Sequence, residues 1–298
     1  MQQHRYCVAH TLTGRYNAGV LVDKYQQFEN LIRKELKLLG CQKSVTFSKL
    51  EKLDSREEKF KLAPHYHLNE LAIYFYSVLS RLIFPLKRDV VVYEGFDDKG
   101  QSRGLERFYE KVKAGQNIVP HLSKLVFEMD QGKLNDPMLA EWGIFHFHIP
   151  ESDGNKFFVK RTNHLLFAIV TQNELVPLDI QPHSNELGTY EPWVDVDIFE
   201  KIERYYPQSI QHLKQRDGVS PLTFEQRRTL RRKGYNTSVI TSSGNEYASP
   251  GLGSTSSGHP MPVIMKVDQN MMCLEHIIKE TDEIMFDSNY NITTRNAL

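Results

Sequence analysis

The sequence predicts an α+β protein, with a helical N-terminal part and a C-terminal part built on a four-stranded antiparallel sheet flanked by helices. Two observations predict it. Apolar residues recur at helical spacing through the first third of the chain, and four short apolar runs follow one another between Trp142 and His183. The expected division gives a mainly helical region over residues 1–133 and a sheet domain over residues 134–298.

Lys24–Leu39 places Tyr25, Phe28, Leu31, Ile32 and Leu39 at helical spacing and meets a stop at Gly40. Ser48–Leu53 fits a short helix. His65–Phe84 reads as a long helix framed by Pro64 and Pro85, because proline is tolerated at a helix start and ends a helix elsewhere. Asp89–Glu94 is β-branched and reads as a strand, and polar loop residues follow over Asp97–Gly104. Leu105–Lys113 and Pro120–Asp130 are further helix candidates.

The four runs are Gly143–Pro150, Lys156–Arg161, Leu165–Thr171 and Val176–His183. Residues two apart on a strand share a face. Phe145, Phe147, Val159 and Leu178 are therefore expected on one buried face, with His146, His148, Lys160, Asp179 and His183 on the other. The third run is apolar on both faces, as a covered central strand is.

Beyond the sheet, Val194–Tyr206 is helical in pattern up to Pro207. Thr223 and Gln226 have the form of a capping box, and the helix they start should end near Gly234. Ser238–Thr241 and Glu246–Ala248 suit a hairpin. Ser249–Pro262 is rich in Gly, Ser and Pro and reads as a loop, and a last helix is expected from Val263 to Met285, followed by a polar tail.

Composition is ordinary for a water-soluble globular protein, with 25% charged and 40% hydrophobic residues among 298. The formal net charge is zero, which excludes reliance on bulk positive charge to hold nucleic acid while leaving room for a local basic patch. Cys7, Cys41 and Cys273 are odd in number and far apart, forming neither a metal-ligand pair nor a disulfide framework. The first residues lack an apolar signal core, and no apolar segment reaches the roughly 20 residues needed to span a bilayer. A cytoplasmic protein with no membrane association is expected.

The His-x-His pair at His146 and His148 carries the most chemistry. Two imidazoles on one strand face can approach one metal ion or one phosphate, and as easily occupy a half-exposed sheet face. Asp179 and His183 recur in phase nearby. Lys160 and Arg161 point to opposite faces unless the strand ends there, where Arg161 could swing in and hold a phosphate bidentately. Arg227, Arg228, Arg231 and Arg232 cluster on the helix after Thr223. They suit RNA contact, or simply favourable placement near a helix C-terminus. Gly251 to His259 has a phosphate-loop flavour but lacks the required Lys-Ser/Thr, so a connector is expected there.

In layout, the four runs resemble the sheet of the barnase/RelE-like ribonucleases, many of which are toxins. The resemblance spans residues 142–183. It implies a metal-independent endoribonuclease, of a toxin or defence type, that needs no cofactor. It also implies RNA as the partner, with a protein inhibitor or antitoxin beside it. By position it makes His146 or His148 the acid or base and Lys160 or Arg161 the phosphate stabiliser. This chain is longer than a free-standing toxin and lacks a subfamily hallmark. Two alternatives stand beside it. One is a cupin-like or metallohydrolase metal site on His146, His148 and His183 with Asp179. The other is a non-catalytic sensor or binding protein.

Overall fold

The computed structural model describes residues 18–38, 64–127, 136–152, 154, 156–182, 192–276 and 283–295. The short helix expected at Ser48–Leu53 lies outside them.

Helices α1 (Ala18–Leu38) and α2 (Pro64–Arg81) form where the spacing places them. Phe28, Ile32 and Leu36 recur every four residues on α1, so they line one stripe, and that stripe packs on Leu68, Leu71 and Phe75 of α2. After β1 (Asp89–Val90) and α3 (Ser102–Lys113), the chain makes two 3₁₀ turns, Val119–His121 and Lys124–Phe127, where a continuous helix to Asp130 was expected. Residues 128–130 of that span are not described.

Helix α4 (Pro137–Trp142) leads directly into β2 (Ile144–His148), followed by β3 (His164–Val170) and β4 (Glu174–Pro182). These are the first, third and fourth apolar runs, and they pair antiparallel in the order β4-β3-β2. The fourth strand of the sheet is β1, which joins β4 in parallel.

Lys156–Arg161 is not a strand. Both edges of β3 are taken by β2 and β4, and the run bends instead across the 3₁₀ segment. There the Val159 amide donates to the Pro120 carbonyl at 3.1 Å. Phe157 and Phe158 sit against Phe127, with centroids 6.4 and 6.1 Å away.

The sheet is covered on both sides. One face carries Phe147, Leu166, Ala168, Leu175 and Ile180 and packs on α3 through Leu105, Phe108 and Val112. The other carries Ile144, Leu165, Phe167, Val176 and Leu178 and packs on α5 (Asp197–Tyr205) through Ile198, Phe199 and Ile202. A bulge between Phe167 and Ala168 shifts the register of β4. It puts Leu178 on the α5 side beside Asp179, not on the opposite face where strict alternation places it.

A three-stranded sheet of order β5-β7-β6 combines β5 (Lys214–Arg216) with the expected hairpin, β6 (Val239–Ile240) and β7 (Glu246–Tyr247). Helix α6 (Phe224–Arg232) starts on the expected capping box, in which Gln226 Oε1 accepts from the Thr223 amide at 2.8 Å.

Helix α7 (Met261–His276) ends earlier than the sequence suggests, and Glu283–Phe286 is a strand, β8, paired with β9 (Ile292–Arg295). Asp287 explains the difference: its Oδ1 accepts from the Asn289 and Asn291 amides, both at 2.8 Å, and closes a tight turn. Phe286 then stacks on Phe75 at 5.3 Å. The α1–α2 core thus includes α7, β8 and β9, while α3 packs on the sheet.

Phe147 is fully buried against Phe108, so Phe147→Ala should destabilise by about 3–5 kcal/mol in chemical denaturation. His148→Ala should also destabilise, by about 1 kcal/mol, because it removes the acceptor of the half-buried Thr162 amide. A His148→Ala protein with wild-type stability would show that this histidine is not part of the core.

Candidate active site

Asp136 begins the site. Its Oδ1 accepts from the Met138 and Leu139 amides at 3.1 and 3.2 Å, Pro137 occupies the first helical position, and Gly143 closes the helix in the left-handed region at φ 69°. Asp136 Oδ2 lies 3.2 Å from His146 Nδ1 on β2, the outer strand of the sheet. Each side chain is about one quarter exposed, at 24%. Burial alone would push the imidazole down, but the Asp136 carboxylate outweighs it and holds His146 above its ordinary value, against an opposing push from the Arg161 guanidinium. Burial would likewise raise Asp136, and the pairing with His146 and the two amides hold it below the usual carboxylate range instead.

The pair opens into a cavity of about 340 Å³ at the sheet edge. Phe145 and Trp193 contribute aromatic surface there, and Arg81 and Arg161 contribute cationic groups. Arg81 is fixed from α2 by donation to the Ser77 and Leu125 carbonyls, each at 2.9 Å. Arg161 is exposed and reaches the cavity from the bent segment after Val159. Its next neighbour, Thr162, is tied to β2.

That tie is His148. Its Nδ1 accepts from the Thr162 amide at 3.1 Å, while the Thr162 hydroxyl donates to the His164 carbonyl at 2.5 Å. The bonding assigns the Nε2–H tautomer to a neutral His148 ring. His148 is only 2% exposed. Its carbonyl also accepts from His121 Nδ1 at 2.7 Å, the nitrogen that carries the proton because Lys111 Nζ donates to Nε2 at 3.2 Å. The outward, solvent-facing role expected for His148 is thus replaced by a packed one. The reason is that α5 and the 120s segment leave neither sheet face open.

The other candidates separate. Asp179 shares a cross-strand row with Phe167 and His146, as the alternation suggests. Two strand spacings put its backbone about 10 Å from that of His146. Asp179 is 6% exposed, and its carboxylate is held by Lys201 Nζ at 2.6 Å and Gln181 Nε2 at 2.8 Å. Lys160 is exposed and does not line the cavity. His183 lies outside the described residues. Among the described residues, no three His, Cys, Asp or Glu side chains converge in a way that could hold a metal ion.

The arginine cluster divides as well. Arg227 is 9% exposed and donates to the Val194 and Leu222 carbonyls at 2.8 and 2.5 Å. Arg231 is 8% exposed, pairs with Glu141 at 2.5 Å and lies over the Trp142 ring at 4.7 Å. These two hold the protein together from inside. Arg228 stands 3.7 Å from Glu225, and Arg232 is exposed.

The glycine-rich loop is also structural. The Gly251 and Gly253 amides donate to the Glu141 and Ala140 carbonyls at 2.8 and 2.9 Å, which closes the C-terminal end of α4. A side chain at Gly251 would collide with the Ala140 carbonyl. The Thr255 and Gly258 amides are taken by the His259 and Thr255 carbonyls.

Sequence reasoning missed Asp136. The signal was present: Asp136-Pro137 followed by Gly143 marks the start and stop of a short helix, and that helix runs straight into the His-x-His strand. Comparison with protein-family models, curated proteins and solved structures gives no match, so the site is read from its own chemistry. No helix among the described residues is long and apolar enough to cross a membrane.

The raised His146 contributes stability that is fully present below its ordinary value near 6.5 and is lost as pH rises through the higher folded value. The lowered Asp136 contributes stability that is present above its ordinary value near 3.8 and is lost as pH falls through the lower folded one. Asp136→Asn should therefore move the His146 titration, followed by NMR, to lower pH and reduce stability most between those two ordinary values. An unmoved His146 titration would show that the carboxylate does not set its protonation.

Proposed function

We propose that the cavity cleaves the phosphodiester backbone of RNA without a metal ion. The observation that carries this reading is the His146–Asp136 pair facing Arg161 across one pocket. Asp136 occupies Nδ1 of the imidazole and leaves Nε2 for the substrate, an arrangement suited to proton transfer near neutral pH. Arg161 supplies planar, bidentate donors for a phosphate and offsets charge as the phosphorane develops.

In this scheme the substrate's own 2′-oxygen attacks phosphorus. The bond to the 5′-oxygen breaks, His146 protonates that leaving oxygen, and the products are a 2′,3′-cyclic phosphate and a free 5′-hydroxyl. The 2′-hydroxyl proton passes to a general base; His183 is one of the catalytic candidates of the sequence and lies outside the described residues. His148 has no part in the chemistry and acts through Thr162 to hold the segment carrying Arg161.

Cleavage should persist in EDTA and spare DNA, which lacks the attacking hydroxyl. His146→Ala and Arg161→Ala should each lower kcat by about 10²–10³ with the fold intact, the usual range for losing a general acid or a charge stabiliser. Because protonated His146 is the acid, activity should fall as pH rises through its raised value, and Asp136→Asn should move that alkaline limb to lower pH. Activity lost on chelation and restored by added metal would overturn the scheme.

A further inference from the structure

We infer that the cavity holds one unpaired nucleotide, base and phosphate together, and so selects single-stranded RNA. This inference rests on the cleavage reading for its reaction but on separate features for its ligand. The pocket wall is mostly apolar, with Phe145 and Trp193 presenting half-buried rings, while Arg161 and the His146–Asp136 pair stand at the same opening. A phosphate site alone has no use for that aromatic surface. A nucleobase does, since every base has a face that stacks on an aromatic ring whatever its hydrogen-bonding edge. The cavity measures about 340 Å³ and sits at the low end of small-ligand pockets, room for one nucleotide and not for a stacked pair.

Strand selection follows from geometry. In an A-form duplex both faces of each base are covered by its neighbours, so a base enters such a pocket only from a loop, bulge or single strand. Phe145 and His146 are adjacent on β2, where successive side chains take opposite faces. Both nevertheless line the cavity, because it wraps the outer edge of the outermost strand. A nucleotide seated there would straddle that edge, with its base toward Phe145 and Trp193 and its 3′-phosphate toward Arg161. With no hydrogen-bonding edge of the base specified by these contacts, discrimination among the four bases should be weak.

The test is calorimetric titration of the full chain with the four nucleoside 3′-monophosphates, the corresponding nucleosides and inorganic phosphate, paired with cleavage of matched single-stranded and duplex RNA. The nucleotides should bind more tightly than either part alone. Trp193→Ala and Phe145→Ala should each weaken nucleotide binding about tenfold while leaving phosphate binding unchanged, and Arg161→Ala should weaken both. Two aromatic variants keep the test open if one fails to fold, as judged by circular dichroism. Nucleotide binding without RNA cleavage would remove the cleavage reading and leave this one standing. Phosphate binding as tightly as any nucleotide would overturn the inference, and so would equal cleavage of duplex and single strand with no loss in a folded aromatic variant.

Discussion

One carboxylate ties the site together. Asp136 uses one oxygen to cap α4 and the other to hold His146, so the start of a helix and the middle of a strand are fixed to the same side chain. The capping interaction explains why α4 can exist at all. A helix of 6 residues has little cooperative stability of its own and depends on its ends. Gly143 and the Gly251–Gly253 backbone satisfy carbonyls at its other end, and the Gly143 turn delivers the chain into β2 one residue before Ile144. The cavity wall, the strand edge and the imidazole orientation therefore share one origin.

A second fixture lies at the C-terminal end of α4, where Glu141 meets Arg231 beside the rings of Trp142 and Trp193. Burial pushes the Glu141 carboxyl up to about 7 despite the guanidinium beside it. A buried ion pair of this kind adds little net stability against a well-packed apolar pair, while removing one partner leaves a stranded charge. Its effect is on position. It sets α6 against α4 and places Trp193 over the same guanidinium that covers Trp142. Of the four arginines that suit RNA contact, Arg231 thus serves the wall of the pocket indirectly, and Arg227 holds Val194 beside Trp193.

Much of the sheet was legible because successive side chains of a strand alternate between its two faces. His146 and Asp179 share a face, and the central strand is apolar on both sides, as the pattern required. What the pattern could not carry was context. A bulge moved Leu178 across the sheet, and a second covering layer turned His148 from a surface group into a buried hydrogen-bond acceptor. The run Lys156–Arg161 has strand-like alternation, yet both edges of the following strand β3 are taken by β2 and β4, which periodicity alone cannot reveal. Asp136 was readable as a cap from the Asp-Pro pair, but its second partner depends on how closely α4 and β2 fold back on each other, a tertiary fact.

In the proposed scheme a chain with no net charge attracts its anion locally, with Arg81 and Arg161 set against Asp136, the one carboxylate among the described lining residues and already committed to His146. Arg161 has two opposed effects. It lowers the proton affinity of His146, yet in the proposed scheme it is the group that receives the phosphate. A bound phosphate would screen the guanidinium and place negative charge beside the imidazole, and both changes favour the protonated ring. Substrate and proton would then bind cooperatively, by the reciprocity that any such coupling obeys. The acid form needed for protonating the leaving oxygen would be most populated when the phosphodiester is in place. Burial, Asp136 and Arg161 together set the proton affinity from which that coupling starts, with the Asp136 carboxylate outweighing the other two.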